Sequence, residues 1–229
     1  MTDQKPFEPA KSRFAAVEFA MNPEPRCPCI LLLDTSGSMG GEPIEQLNEG
    51  LRQFQAELQG DALAAKRVEV AVFTFGGKVE KVVDFVSAGS FTAPTLKADG
   101  LTPIGEAIVK AMDALEERKK AYKAGGVSYY RPWVFLMTDG EPTDEAAQLD
   151  AAVARVKEAE AKKSVAFFTV GVEEADLAAL AKIATRTPMK LKGLAFRELF
   201  SWLSTSLQRV SQSQVGEAVS LPAVGWNEV

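Results

Sequence analysis

Asp34, Ser36 and Ser38 stand at alternate positions in Asp34-Thr35-Ser36-Gly37-Ser38, directly after the apolar run Cys29-Ile30-Leu31-Leu32-Leu33. In an extended segment alternate side chains project the same way, and Gly37 lets the backbone turn tightly between the two serines. A second carboxylate, Asp139, follows another apolar run and precedes Gly140. Between them in sequence, Thr102 comes directly before Pro103, where a helical pattern begins, so its hydroxyl sits at a helix N-terminus. All five side chains offer oxygen. Such a set, without thiolate or imidazole, suits Mg2+, with Mn2+ or Ca2+ as alternatives, rather than zinc or copper. Two carboxylates nearly cancel the charge of a divalent cation, so an open coordination position stays electrophilic and accepts one further anionic oxygen.

Taken singly, Asp-Gly after a strand reads as a turn, Ser-Gly-Ser as a loop and Thr-Pro as a helix cap. What sets this chain apart is that all three fall at strand ends and a helix start in one order. Asp34-x-Ser36-x-Ser38, Thr102 and Asp139 resemble the metal-ion-dependent adhesion site of von Willebrand factor A (vWA) domains, and the resemblance runs over roughly residues 29–210. The strings Asp34-Thr35-Ser36-Gly37-Ser38-Met39, Leu101-Thr102-Pro103-Ile104-Gly105-Glu106-Ala107 and Leu136-Met137-Thr138-Asp139-Gly140-Glu141-Pro142-Thr143 are similar to the small stand-alone bacterial vWA proteins of the TerY/YegL type. Those are associated with tellurite resistance and stress responses and are often encoded with protein kinases and PP2C-like phosphatases. The resemblance implies a binding module. A protein partner, with a kinase or a PP2C-like phosphatase in view, would give an Asp or Glu carboxylate to the metal, and the chain would act as scaffold or regulator in a phosphorylation-linked stress pathway.

The competing reading is a Mg2+- or Mn2+-dependent phosphoryl-transfer or hydrolytic enzyme. A phosphatase nucleophile of the haloacid dehalogenase kind at Asp34 would want a second acid two residues on, where Ser36 stands. Ser36 also occupies the glycine position of the aspartic-protease string. The chain has no histidine, which excludes a Ser-His-Asp or Cys-His nucleophile. Glu106 and Glu141 read as solvated charges beside helices, so no enzyme is expected.

The 229 residues, 46% of them hydrophobic, suffice for the core of one α/β unit. With 26 basic and 31 acidic residues the formal net charge is −5. The one basic cluster, Arg118 to Lys123, reads as a solvated helix C-terminus favoured by the dipole, so no nucleic-acid partner is expected. No apolar run approaches a membrane span and no apolar signal region opens the chain, so a cytoplasmic protein with no membrane partner is expected. Cys27 and Cys29 flank Pro28 and read as free, mostly buried thiols, too few for a zinc site.

These features need a scaffold, and periodicity supplies it. Strands are expected at Cys29 to Leu33, Arg67 to Phe75, Val79 to Val86, Trp133 to Met137, Val165 to Val170 and Met189 to Leu191. The second and third form a hairpin around a two-residue Gly76-Gly77 turn. Helices are expected over Pro43 to Gln59, from Ile104 through Leu115, around Leu149 to Val156, briefly at Leu177 to Ala184, and from Phe196 to Val210. Such alternation predicts a doubly wound α/β fold, a mostly parallel six-stranded sheet with helices on both faces and one antiparallel edge strand. Ligands gather outside the carboxyl ends of strands where the winding reverses; the vWA resemblance implies that the strands ending at Asp34 and Asp139 are neighbours there. The organisation expected is an N-terminal extension over 1–26, a vWA domain over 27–210 and a tail over 211–229. Phe14 to Met21 reads as an added strand or helix, or as a mobile arm. Trp226 reads as folding back over an apolar surface, with a partner-docking strip as the alternative.

Overall fold

The computed structural model describes residue 19 and residues 21–227. Most of the Phe14 to Met21 segment therefore lies outside the described residues. Six strands form one sheet: β1 (Cys27–Asp34), β2 (Val68–Gly76), β3 (Lys78–Ser87), β4 (Trp133–Thr138), β5 (Ala166–Gly171) and β6 (Met189–Lys190). Their spatial order is β3-β2-β1-β4-β5-β6. Every neighbouring pair is parallel except β2 with β3, which makes β3 the antiparallel edge strand. From β1 the chain winds to β2 on one side and later returns to β4 on the other, so the reversal lies between β1 and β4. The expected doubly wound architecture is the one observed.

The helices are α1 (Glu42–Gly60), a short α2 (Ala64–Arg67), α3 (Ile104–Ala124), α4 (Ala146–Ala161), α5 (Leu177–Ile183) and α6 (Phe196–Gln212). Strand alternation divides the core in two. Cys27, Cys29, Leu31 and Leu33 face the layer holding Leu47, Leu51 and Phe54 of α1 and Phe196, Phe200 and Leu203 of α6. Ile30 and Leu32 face Ile104, Ile108 and Met112 of α3 and Val156 of α4. β1 is buried on both faces along its whole length, as a central parallel strand must be. Both cysteines are free and fully buried, and burial pushes the Cys27 thiol up to about 12.

Two local expectations are corrected. The β2-β3 ladder continues to Gly76 opposite Lys78, which leaves Gly77 alone at the tip with φ 68°. The basic cluster is a solvated helix end only in part: Lys120 and Lys123 are exposed, Lys123 in the last turn of α3, whereas Arg118 and Lys119 turn inward. Arg118 grips Glu69 of β2 in two bonds of 2.8 and 2.7 Å. Glu69 also accepts from Arg26 Nε at 2.8 Å and from the Tyr122 hydroxyl. The Lys119 side chain is 7% exposed and pairs with Glu116 at 2.7 Å.

The tail folds back along the sheet edge. Trp226 is 2% exposed and packs edge-on to Trp202 of α6 at 5.7 Å. Lys192 N donates to Trp226 O at 2.8 Å, and Asn227 bridges antiparallel to Leu191.

Candidate metal centre

β1 ends at Asp34, which is fully buried. Its Oδ1 accepts from Ser36 N at 2.7 Å and its Oδ2 from the Thr138 hydroxyl at the end of β4. Ser36 and Ser38 hydroxyls lie 3.0 Å apart, and Ser38 Oγ donates to Asp139 Oδ1 at 2.9 Å. A hydrogen-bonded chain through the Ser36 N–H and the two serine hydroxyls therefore links the two carboxylates across the reversal between β1 and β4.

Thr102 reaches the same place from a loop held by backbone contacts. Gly37 N donates to Gly100 O at 3.0 Å, Asp99 N to Thr35 O at 2.7 Å and Gly77 N to Leu101 O at 2.8 Å. No side chain fits at Gly76, where a Cβ would stand 2.2 Å from Thr35 O and 2.6 Å from Asp99 O. A Cβ at Gly140 would lie 3.3 Å from Thr102 Oγ1 and 3.9 Å from Ser38 Oγ, so the hydroxyls of Thr102 and Ser38 and the Asp139 segment converge. All five side chains singled out in the sequence are brought to one crevice.

Thr102 does not cap the helix. The N-cap position is Pro103, and the free N–H groups of Gly105 and Glu106 donate instead to Asp144 at 2.8 and 3.0 Å. Thr143 closes the same junction: Thr102 N donates to its hydroxyl at 3.1 Å, and its own N–H donates to Thr102 O at 3.0 Å. With the cap supplied elsewhere, the Thr102 hydroxyl is spared that bond. Thr138, Thr143 and Asp144 thus position the site, and periodicity points to none of them. Pro142-Thr143-Asp144 reads locally as the approach to α4, whereas Asp144 serves α3.

The electrostatics call for positive charge. Burial raises Asp34 to about 6, against hydrogen bonds from Ser36 and Thr138 that lower it, and the charge of Asp139 adds to the rise. Asp139 is also raised, chiefly by burial. Among the described residues no Lys or Arg forms an ion pair with either carboxylate. Two desolvated carboxylates with three converging hydroxyls fit a hard divalent cation in charge and donor type. No group of three or more Cys, Asp or Glu side chains suited to a metal occurs among the described residues, so a cation here depends on the hydroxyls. Glu106 pairs with Lys110 on the helix surface and Glu141 is exposed.

The von Willebrand factor type A domain family matches residues 29–198, and the chain belongs to that family. Such domains commonly act as metal-dependent protein-interaction modules and often bind Mg2+ or Mn2+. Over 182 residues the chain is 22% identical to human inter-alpha-trypsin inhibitor heavy chain H6, covering 78% of this chain and 14% of that protein. It is 30% identical over 122 residues to heavy chain H4 of Sus scrofa, covering 50% of this chain and 12% of that protein. The chain thus spans a small fraction of the curated relatives it matches. Among solved structures, the pilus adhesin SpaC from Lactobacillus rhamnosus GG aligns with TM-score 0.61 and 13% identity, over 82% of this chain and 31% of that one. The vWF domain of the type V pili tip protein Mfa5 from Porphyromonas gingivalis aligns with TM-score 0.58 and 11% identity, over 86% and 99%. At these identities the likeness is one of fold. No described helix is long and apolar enough to cross a membrane.

Proposed function

We propose that Asp34, Ser36, Ser38, Thr102 and Asp139 hold a divalent cation, Mg2+ before Mn2+ or Ca2+, and that the chain captures a protein partner through it. The observation that carries this reading is Asp34 itself, a fully buried carboxylate that shares its crevice with a second carboxylate and no cationic side chain. When bound, the cation supplies an electrophilic position for an Asp or Glu oxygen of the partner. Asp34 and Asp139 would balance its charge, and the hydroxyls of Ser36, Ser38 and Thr102 would supply neutral oxygens to hold it. Beside Thr102, Leu101 is 66% exposed and offers an apolar contact at the rim.

In this reading residues 27–210 form the module, with 1–26 as an extension and 211–229 as a tail. The TerY/YegL-like strings support a bacterial scaffold or regulator in tellurite resistance, stress response or kinase-phosphatase signalling, acting without enzymatic turnover in the cytoplasm. Capture of the co-purified partner, measured with Mg2+ and with EDTA, tests it. Binding should need both the metal and Asp34. Thr102→Ala should weaken partner capture more than metal binding. Undiminished capture in EDTA and by Asp34→Ala would place the interface elsewhere. Robust phosphatase or ATPase turnover abolished by Asp34→Ala would make the site catalytic.

A further inference from the structure

At the other end of the sheet, where β4 and β5 begin, an open cavity of about 360 Å³ is lined by Lys119, Arg131, Lys163, Tyr129 and Ser164, with Gly216 of the tail beside them. Its three charged lining side chains are cationic, and of these Lys119 is already paired with Glu116 at 2.7 Å. Counting along β4 at about 3.3 Å per residue, it lies roughly 20 Å from the Asp34 crevice.

Arg131 is fixed rather than loose, since its Nε donates to Val165 O at 2.7 Å. Burial and the neighbouring Arg186 guanidinium both lower its pKa, with Glu160 opposing. Glu160 makes no direct hydrogen bond to it that offsets this, being held by other donors. Its two oxygens already accept from Arg186, from Thr185 N at 2.8 Å and Oγ1 at 2.7 Å, and from Phe167 N at 3.2 Å.

Lys163 stands at a position where backbone geometry favours another residue. It follows α4 with φ 53°. Lys163 N donates to Glu160 O and Ser164 N to Ala159 O, each at 2.9 Å. That is the Schellman closure, whose left-handed residue is usually glycine. A lysine there accepts backbone strain and brings a third cation to the cavity. Local stability gives no reason for it.

We infer that this cavity binds a dianionic phosphate monoester, with Arg131 and Lys163 holding its oxygens. Arg131 offers a planar fork anchored at one end, suited to two phosphate oxygens, and Lys163 offers a mobile point charge. The site is independent of the metal crevice and does not require it.

Calorimetric titration of the full chain, free of divalent metal and in chloride buffer, with inorganic phosphate, O-phosphoserine and AMP tests the assignment. Saturable binding of at least one is expected, and the tightest shows whether the ester comes from a protein side chain or a nucleotide. Arg131→Gln should weaken it roughly tenfold or more. Lys163→Gly separates function from structure, because it should raise the melting temperature by relieving the left-handed backbone while weakening the anion. Failure of all three anions to saturate, or equal affinity in wild type and both variants, would overturn the assignment.

Discussion

Asp34 concentrates the chemistry of this chain in one carboxyl group. Its folded pKa of about 6 lies above the ordinary 3.8, so between those values the folded protein holds a proton that the unfolded chain has released. Stability of the metal-free protein therefore falls as pH rises through that window, and lowering pH from 7 to 5 should add about 1.3 kcal/mol. Urea unfolding at pH 7 and pH 5 in chelator should show this increment in wild type and not in Asp34→Asn. Identical pH profiles would mean that the carboxyl is solvated after all. The candidate ligand side chains were legible because alternation after an apolar run fixes where Asp34, Ser36 and Ser38 point. Asp144, 39 residues from the N–H it caps on Gly105, carries no local signal of that role. The same is true of the Thr138 hydroxyl, whose bond to Asp34 exists only because two strands lie side by side.

Close backbone contact supports the crevice at the carboxyl ends of the strands, and a buried charge cluster ties the start of β2 to α3 at the opposite end of the sheet. Gly76→Ala would drive a methyl group into Thr35 O and Asp99 O. It should cost about 1–3 kcal/mol in chemical denaturation and loosen metal binding with it. Near the start of β2, Glu69 is fully buried among Arg26, Arg118 and Tyr122. Glu69→Ala leaves the buried Arg26 guanidinium without its carboxylate and should cost about 3–5 kcal/mol. A cost under about 1 kcal/mol would show that water or another acid takes its place. All six strands were readable because period-two burial and apolar runs are local. The inward turn of Arg118 was not, since the residue that takes up its charge lies 49 positions away. Helical periodicity places a lysine or arginine on a face but does not say what that face meets.

For the whole molecule, both sheet faces are covered by continuous apolar layers without help from a metal. At a free Mg2+ concentration equal to Kd, linkage contributes only about 0.4 kcal/mol. Chelation should then lower Tm by about 1–2 °C, and loss of the cooperative transition in EDTA would show the metal to be part of the fold. The alternating element order made the doubly wound architecture legible, while the adjacency of the strands ending at Asp34 and Asp139 came from resemblance and is borne out by the pairing of β1 with β4. The central claim is that the five oxygen-bearing side chains make one cation site, and its most direct test is Mn2+ titration followed by electron paramagnetic resonance, with Mg2+ as competitor. Wild type should show one saturable site displaced by Mg2+, Thr102→Ala a partial loss and Asp34→Ala no saturable binding. Equal Mn2+ binding by wild type and Asp34→Ala would contradict the account.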